Sequence, residues 1–221
     1  MIEVSDLALA APDGRLLMEG LDLVVPKGGN LLVTGPSGSG KSRLLQVIVG
    51  TERPLRGRVR VGGVDLWPGG GTLALIGRVR VGFVFASGGL LSNLSLWENA
   101  ALPLRFRGLP FADIQARVDA ALERVAALPL AGLRPHALST SARRHGNLAR
   151  VLALDPELIL LDDPLEGLDT ADRALAQNLI QAWAADSACT LVIASEELHA
   201  FSYLEAERLQ LSHAAISMES R

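Results

Sequence analysis

The stretch from Asn30 to Val49 constrains the fold of this chain more than any other. An apolar run, Asn30-Leu31-Leu32-Val33-Thr34, leads straight into Gly35-Pro36-Ser37-Gly38-Ser39-Gly40-Lys41-Ser42, and apolar residues at helical spacing follow from Ser42 to Val49. Strand, glycine loop and helix in that order let the backbone curl so that several N–H groups converge on phosphate oxygens. The helix that begins at the end of the loop adds the partial positive charge of its N-terminus. Lys41 is then placed to reach the β- and γ-phosphates of a nucleotide, and the Ser42 hydroxyl to ligate Mg²⁺. The structural alternative, a glycine-rich turn that fits the spacing by chance, explains neither the strand before it nor the helix after it.

The rest of the chain supplies the sheet such a loop needs. Ile2 to Leu9 and Leu21 to Val25 read as strands on either side of the turn Pro12-Asp13-Gly14. Arg58 to Val61 and Val81 to Phe85 are further strands, separated by a glycine-rich connection at 69–71. After Ala86 the pattern changes to a loop, a helix from Phe111 to Ala127, a break at Pro129 and Pro135, and a helix from about Ser139 to Leu154. Strand and helix then alternate again through Leu158 to Leu161, Thr170 to Ala185 and Thr190 to Ala194. This order predicts an α/β fold: a P-loop NTPase core of the RecA-like kind with a mostly parallel sheet, an N-terminal antiparallel β region and an inserted α-helical subdomain. The expected organisation is one domain over 1–221, with 1–85 and 151–221 as the nucleotide-binding core and 86–150 as the helical subdomain.

Composition removes several classes of function. With 21 basic against 24 acidic residues the net charge is −3, and no long basic run is present, so a nucleic-acid partner has no electrostatic support. A single cysteine, Cys189, excludes an internal disulfide or a cysteine-built metal site, and its apolar neighbours point to packing. No run approaches the ~20 apolar residues that span a bilayer, so a membrane-spanning part is expected on another chain. The N-terminus has no signal-peptide pattern, and a cytoplasmic location is expected.

Leu158-Ile159-Leu160-Leu161-Asp162-Asp163-Pro164 is an apolar strand ending in two carboxylates. Alone it reads equally well as a buried strand capped by acidic turn residues. Beside the phosphate loop, Asp162 becomes the acidic partner of Ser42 at Mg²⁺. Two further segments narrow the class. Leu138-Ser139-Thr140-Ser141-Ala142-Arg143-Arg144, continuing to Leu148-Ala149-Arg150-Val151-Leu152-Ala153, resembles the signature region of ABC ATPases, and Leu168-Asp169 resembles their D-loop. Within that family, Val81 to Phe85 and 87–104 look most like the ATPases of MCE/Mla-type phospholipid transporters, with lipoprotein-release and MacB-type ATPases also similar.

The resemblance implies ATP and Mg²⁺ as cofactors, with Arg43 and Ser139 joining Gly35 to Ser42 as nucleotide contacts. Lys41 and Asp163 would be the catalytic pair, and Ser42 and Asp162 the metal ligands. It also implies a second ATP-binding subunit, an integral-membrane permease and a place on the cytoplasmic face of the bacterial inner membrane. An MCE-domain protein is a further expected partner.

Where the family pattern breaks, catalysis is expected to suffer. Ala11 replaces an adenine-stacking aromatic, Ala86 a glutamine, Thr140 and Ser141 the signature glycines, and Ala142 its glutamine. Asp163 stands for the catalytic glutamate, and Ser195 for the switch histidine expected after Val192-Ile193-Ala194. Neither His136 nor His199 falls where it would replace that histidine. A carboxylate one methylene shorter is withdrawn by ~1.5 Å, and misplacement on that scale can cost about 10²-fold. The expectation is Mg-ATP binding with weak hydrolysis, the alternative being a nucleotide-gated subunit without catalysis. Leu90, Leu91, Leu96 and Trp97 are candidate permease contacts, or equally the core of the helical part. Arg105 and Arg107 read as a solvated edge.

Overall fold

The computed structural model describes residues 1–67, 70–86 and 88–212, together with the backbone of 215–219. Gly69 in the glycine-rich connection and Ser87 lie outside the described residues.

Two sheets build the molecule. Strands β1 (Ile2–Ala10), β2 (Leu16–Val25), β4 (Arg56–Val61) and β5 (Val64–Asp65) form an antiparallel sheet in the order β2-β1-β4-β5. The second sheet contains β3 (Asn30–Thr34), β6 (Val81–Val84), β7 (Leu158–Asp162), β8 (Thr190–Ser195), β9 (Glu207–Ser212) and β10 (Ala215–Glu219). Its order is β10-β9-β3-β8-β7-β6, parallel from β9 to β6 and antiparallel only at β10. Every residue of β7 is buried, as the unbroken apolar run Leu158 to Leu161 requires of a central parallel strand covered on both faces.

Helix α1 (Lys41–Ile48) buries Leu44, Leu45, Val47 and Ile48 between the two sheets. Helices α2 (Leu96–Phe106), α3 (Phe111–Arg124), α4 (Thr140–Leu154) and α5 (Thr170–Ala185) share a second apolar cluster with the other face of the parallel sheet. The α/β architecture expected from the strand–helix alternation is therefore present. No described helix is long and apolar enough to cross a membrane.

Helix α2 and strands β5, β9 and β10 go beyond the sequence reading. Residues 96–106, read as loop, form α2, whose start is a capping box: Ser95 Oγ accepts from Glu98 N while Glu98 Oε2 accepts from Ser95 N at 2.8 Å. Strand β9 lies between β10 and β3 and alternates buried Leu209 and Leu211 with more exposed residues, the pattern of a strand covered on one face.

Register decides where the chemistry can sit. In the parallel ladder Thr34 lies opposite Ser195, and Asp162 opposite Ala194. The carboxyl ends of β3, β8 and β7 thus coincide, which brings the glycine loop, the Asp162-Asp163 pair and Glu196 to one edge, the usual ligand side of an open α/β sheet.

Candidate functional site

The loop after β3 is held open by backbone that only glycine adopts freely. Gly35, Gly38 and Gly40 have φ of 148°, 76° and 100°. A Cβ at Gly35 would stand 2.3 Å from the Leu211 carbonyl oxygen, so β9 packs directly on the loop's first residue. Among the described residues the only atom an added Cβ at Gly38 would meet is Arg15 Nη2 at 4.0 Å, which marks the open side of the loop and a guanidinium overhanging it. Ser39 Oγ is buried without a hydrogen-bond partner among the described residues. An open cradle, an unpartnered hydroxyl and the N-terminus of α1 fit a polyphosphate.

Lys41 is only 5% exposed. Its Nζ donates to Gly35 O at 2.8 Å and Pro36 O at 3.1 Å, and meets Glu196 Oε1 at 3.4 Å. Ser42 Oγ donates to Asp162 Oδ1 at 2.9 Å, so the two expected metal ligands are already in contact. Both are hard oxygen donors, the chemistry Mg²⁺ takes. Burial pushes the Asp162 carboxyl above its ordinary range; the Ser42 hydroxyl opposes this, Asp163 adds to it, and Lys41 and the Ala86 amide also oppose it.

Asp163 has a φ of 42°, a left-handed conformation that Asp tolerates better than most residues. Its N–H donates to Ala194 O at 2.9 Å and its Oδ1 accepts from Glu196 N at 3.4 Å, so backbone and side chain are both tied to the β8 end. The cleft these groups enclose is about 270 Å³. Ala11, Pro12, Arg15 and Leu17 wall it on one side, and Asp163 and Glu196 on the other, with Lys41, Ser42 and Arg43 at its floor. Arg43 is held by an ion pair with Glu52. A larger groove of about 840 Å³ lies at the amino-terminal edge of the sheet, but its charged lining is Glu205 and Glu207, which suits no phosphate.

Ser139 is not in this cleft. Its hydroxyl caps α4 by accepting from Ala142 N at 3.1 Å, and the residue is exposed. Ser141 turns away from the exposed end of α4 and bonds Asp172 of α5. Within one chain the signature residues therefore meet no nucleotide.

The switch position needs correction. Ser195 is 4% exposed and its Oγ accepts from Glu197 N at 3.1 Å, so the ladder to β3 turns it into the protein. The side chain that reaches the cleft at the end of β8 is the next one, Glu196. Alternation along the strand was the available signal: the last in-register residue points inward and its successor outward.

Arg144 was also missed. Buried in α4, it donates to Phe85 O at 2.9 Å, Ala86 O at 3.1 Å and Glu166 O at 3.3 Å, bracing the loops after β6 and β7. The backbone at Ala86 is thus held in place although its side chain offers no polar group.

Of the candidate permease contacts, Leu96 is fully buried and Leu90 packs against the core. Trp97 donates Nε1–H to Asp119 Oδ1 at 2.8 Å. Only Leu91 among them is exposed. Arg105, read as a solvated edge, lies over the Trp97 ring with its Cζ 5.6 Å from the centroid. Cys189 is buried and its thiol is pushed up to about 12, chiefly by burial, which agrees with a packing role.

A profile of the family described as ABC transporter matches residues 18–166. The lipoprotein-releasing system ATP-binding protein LolD of Chromohalobacter salexigens is 36% identical over 84% of this chain and 79% of its own length. The intermembrane phospholipid transport system ATP-binding protein MlaF of Haemophilus influenzae is 36% identical over 82% of this chain and 69% of its own. The sulfate/thiosulfate import ATP-binding protein CysA of Mycobacterium tuberculosis is 37% identical over 75% of this chain, which spans only 45% of that longer protein. In fold, the dimeric bacterial ABC transporter cassette MJ0796 superposes with a TM-score of 0.91, at 24% identity, over 100% of this chain and 98% of that one.

Proposed function

Because the chain belongs to the ABC transporter family of ATP-binding proteins, we propose that it binds Mg-ATP in the cleft above Lys41 and passes the resulting dimerisation to a membrane permease, with weak hydrolysis. The observation that carries this reading is the convergence of the glycine loop, the buried Lys41 and the Ser42–Asp162 pair at one sheet edge. When bound, Mg²⁺ supplies charge neutralisation between the phosphates. The chain's own groups do the rest. The loop amides and the N-terminus of α1 orient the phosphates, Lys41 exchanges its loop carbonyls for phosphate oxygens, and Ser42 and Asp162 hold the metal. Arg43 flanks the phosphates and Ser139 faces the nucleotide of a second subunit.

Asp163 stands where a carboxylate would take a proton from water, and its shortness and its tether to the β8 end support slow turnover. The two relatives that serve the bacterial envelope, LolD and MlaF, support a lipid or lipoprotein cargo, a permease in the inner membrane and, on the phospholipid reading, an MCE-domain partner. A subunit that uses nucleotide binding alone is the second reading, supported by the same Asp163 geometry together with Ala86.

Calorimetry should find Mg-ATP bound by the wild type and the signal lost in Lys41→Ala. Phosphate release is expected about 10²-fold below the ~10 s⁻¹ of a median enzyme. Absence of Mg-ATP affinity in the wild type refutes the proposal, and release at the Lys41→Ala background selects the binding-only reading.

A further inference from the structure

We propose that Glu196 is an internal competitor for the terminal phosphate: it occupies Lys41 in the nucleotide-free cleft and biases the site toward diphosphate over triphosphate nucleotides. This rests on the nucleotide reading of the cleft and adds a specificity-determining residue to it.

Three acceptors surround the Lys41 ammonium: two loop carbonyls and Glu196 Oε1, at 2.8, 3.1 and 3.4 Å. An ammonium has three donors, so none is left over for a ligand. The pairing of Thr34 with Ser195 sets Glu196 beside the start of the loop, and its side chain, 51% exposed, reaches in from the rim. The Glu196 amide in turn donates to Asp163 Oδ1 at 3.4 Å, so two carboxylates share this wall of the cleft. The opposing wall carries the guanidinium of Arg15. The field across the cleft therefore runs from positive at the turn between β1 and β2 to negative at the ends of β7 and β8.

A nucleotide whose base rests against Ala11 and Pro12 extends its phosphates toward the negative wall. A diphosphate stops short of it and can leave the Lys41–Glu196 pair in place. A third phosphate must take Lys41 from Glu196 and lie against both carboxylates. Because Glu196 is half exposed, water screens its attraction for Lys41, and the ion pair by itself is weak. Its effect comes from adding a like charge where the last phosphate has to sit, a device that rejects one ligand rather than improving another.

The test compares Mg-ATP and Mg-ADP binding by calorimetry in the full chain and in Glu196→Gln and Glu196→Ala, with thermal melts to confirm folding. Both variants are expected to tighten ATP at least tenfold and to leave ADP within about threefold, the tenfold change corresponding to roughly 1.4 kcal/mol. Equal changes for both nucleotides, no change, or weaker ATP binding overturn the inference while the nucleotide reading stands. If wild type and variants bind neither nucleotide, the nucleotide reading falls and this inference with it.

Discussion

Adding one methyl group at Gly146 should destabilise the protein, against the general preference of helices for alanine. Gly146 is buried in α4, where it faces α2. A Cβ there would lie 2.1 Å from Leu96 Cδ1, 3.3 Å from Leu96 Cγ and 3.4 Å from Leu90 Cδ1. Carbon atoms normally keep ~3.5–4.0 Å apart, so the nearest pair overlaps by roughly 1.5 Å. Leu96 cannot swing aside easily because it is itself fully buried. In an exposed helix interior Gly→Ala gains about 0.5–1 kcal/mol. Forcing an extra carbon into a filled core costs about 1–3 kcal/mol. The second effect wins, and Gly146→Ala should lose about 1–2 kcal/mol in urea unfolding followed by circular dichroism, with an unchanged m-value. Leu96→Ala alone should lose about 2–5 kcal/mol by leaving a cavity. Combined, the new methyl partly fills that cavity, so the double variant should be better than the sum by about 1 kcal/mol or more. A Gly146→Ala protein as stable as wild type, or additivity within about 0.5 kcal/mol, would refute the claim that this contact sets the α2–α4 approach.

Two further expectations follow from buried ionisable groups. Asp162 has a folded pKa above its unfolded value, mainly through burial, so the folded state holds its proton longer and stability falls as pH rises above the 3.8 region. In magnesium-free buffer at neutral pH, Asp162→Asn should therefore melt higher than wild type, the gap closing on acidification. The same variant should bind Mg-ATP roughly tenfold more weakly or worse, since losing a charged contact costs about 1.5–3 kcal/mol; an unchanged melting point together with unchanged affinity would contradict both roles. His145, buried in α4 with Nε2 3.4 Å from Asp172 Oδ1, has its pKa lowered by burial, against the pull of Asp172 and Asp169. The unfolded chain then binds the proton first, and stability is lost as pH falls below about 6.5. His145→Gln should flatten the denaturant midpoint between pH 7 and 5 relative to wild type, and an identical slope in the two proteins would rule this out.

Much of the site could be read from the residues because its signals are local. Phosphate cradling needs glycines at fixed offsets from a lysine and a hydroxyl, and these offsets survive in any surroundings. The run into Asp162 was equally readable, because a strand buried on both faces has to be apolar throughout. Helix α2 was missed although Ser95 and Glu98 announce it, because Gly88, Gly89, Asn93 and Pro103 around it argue for loop. For Leu96 and Trp97 the reading left permease contact and helical core open; once the segment is a helix packed on α3 and α4, Leu96 is core and Trp97 is partly buried against it.

By itself, the sequence determined the α/β class, the glycine loop that carries Lys41 and Ser42, and the buried strand that ends in Asp162, since each depends on residues near one another along the chain. Which side chain at the end of β8 faces the cleft was decided only by tertiary structure. Pairing of Thr34 with Ser195 turns Ser195 into the protein and presents Glu196 to Lys41, although Glu196 and Lys41 are 155 residues apart. Pairing register is a property of two strands at once, and a shift of one residue exchanges the inward and outward faces, so no reading of either strand alone contains it.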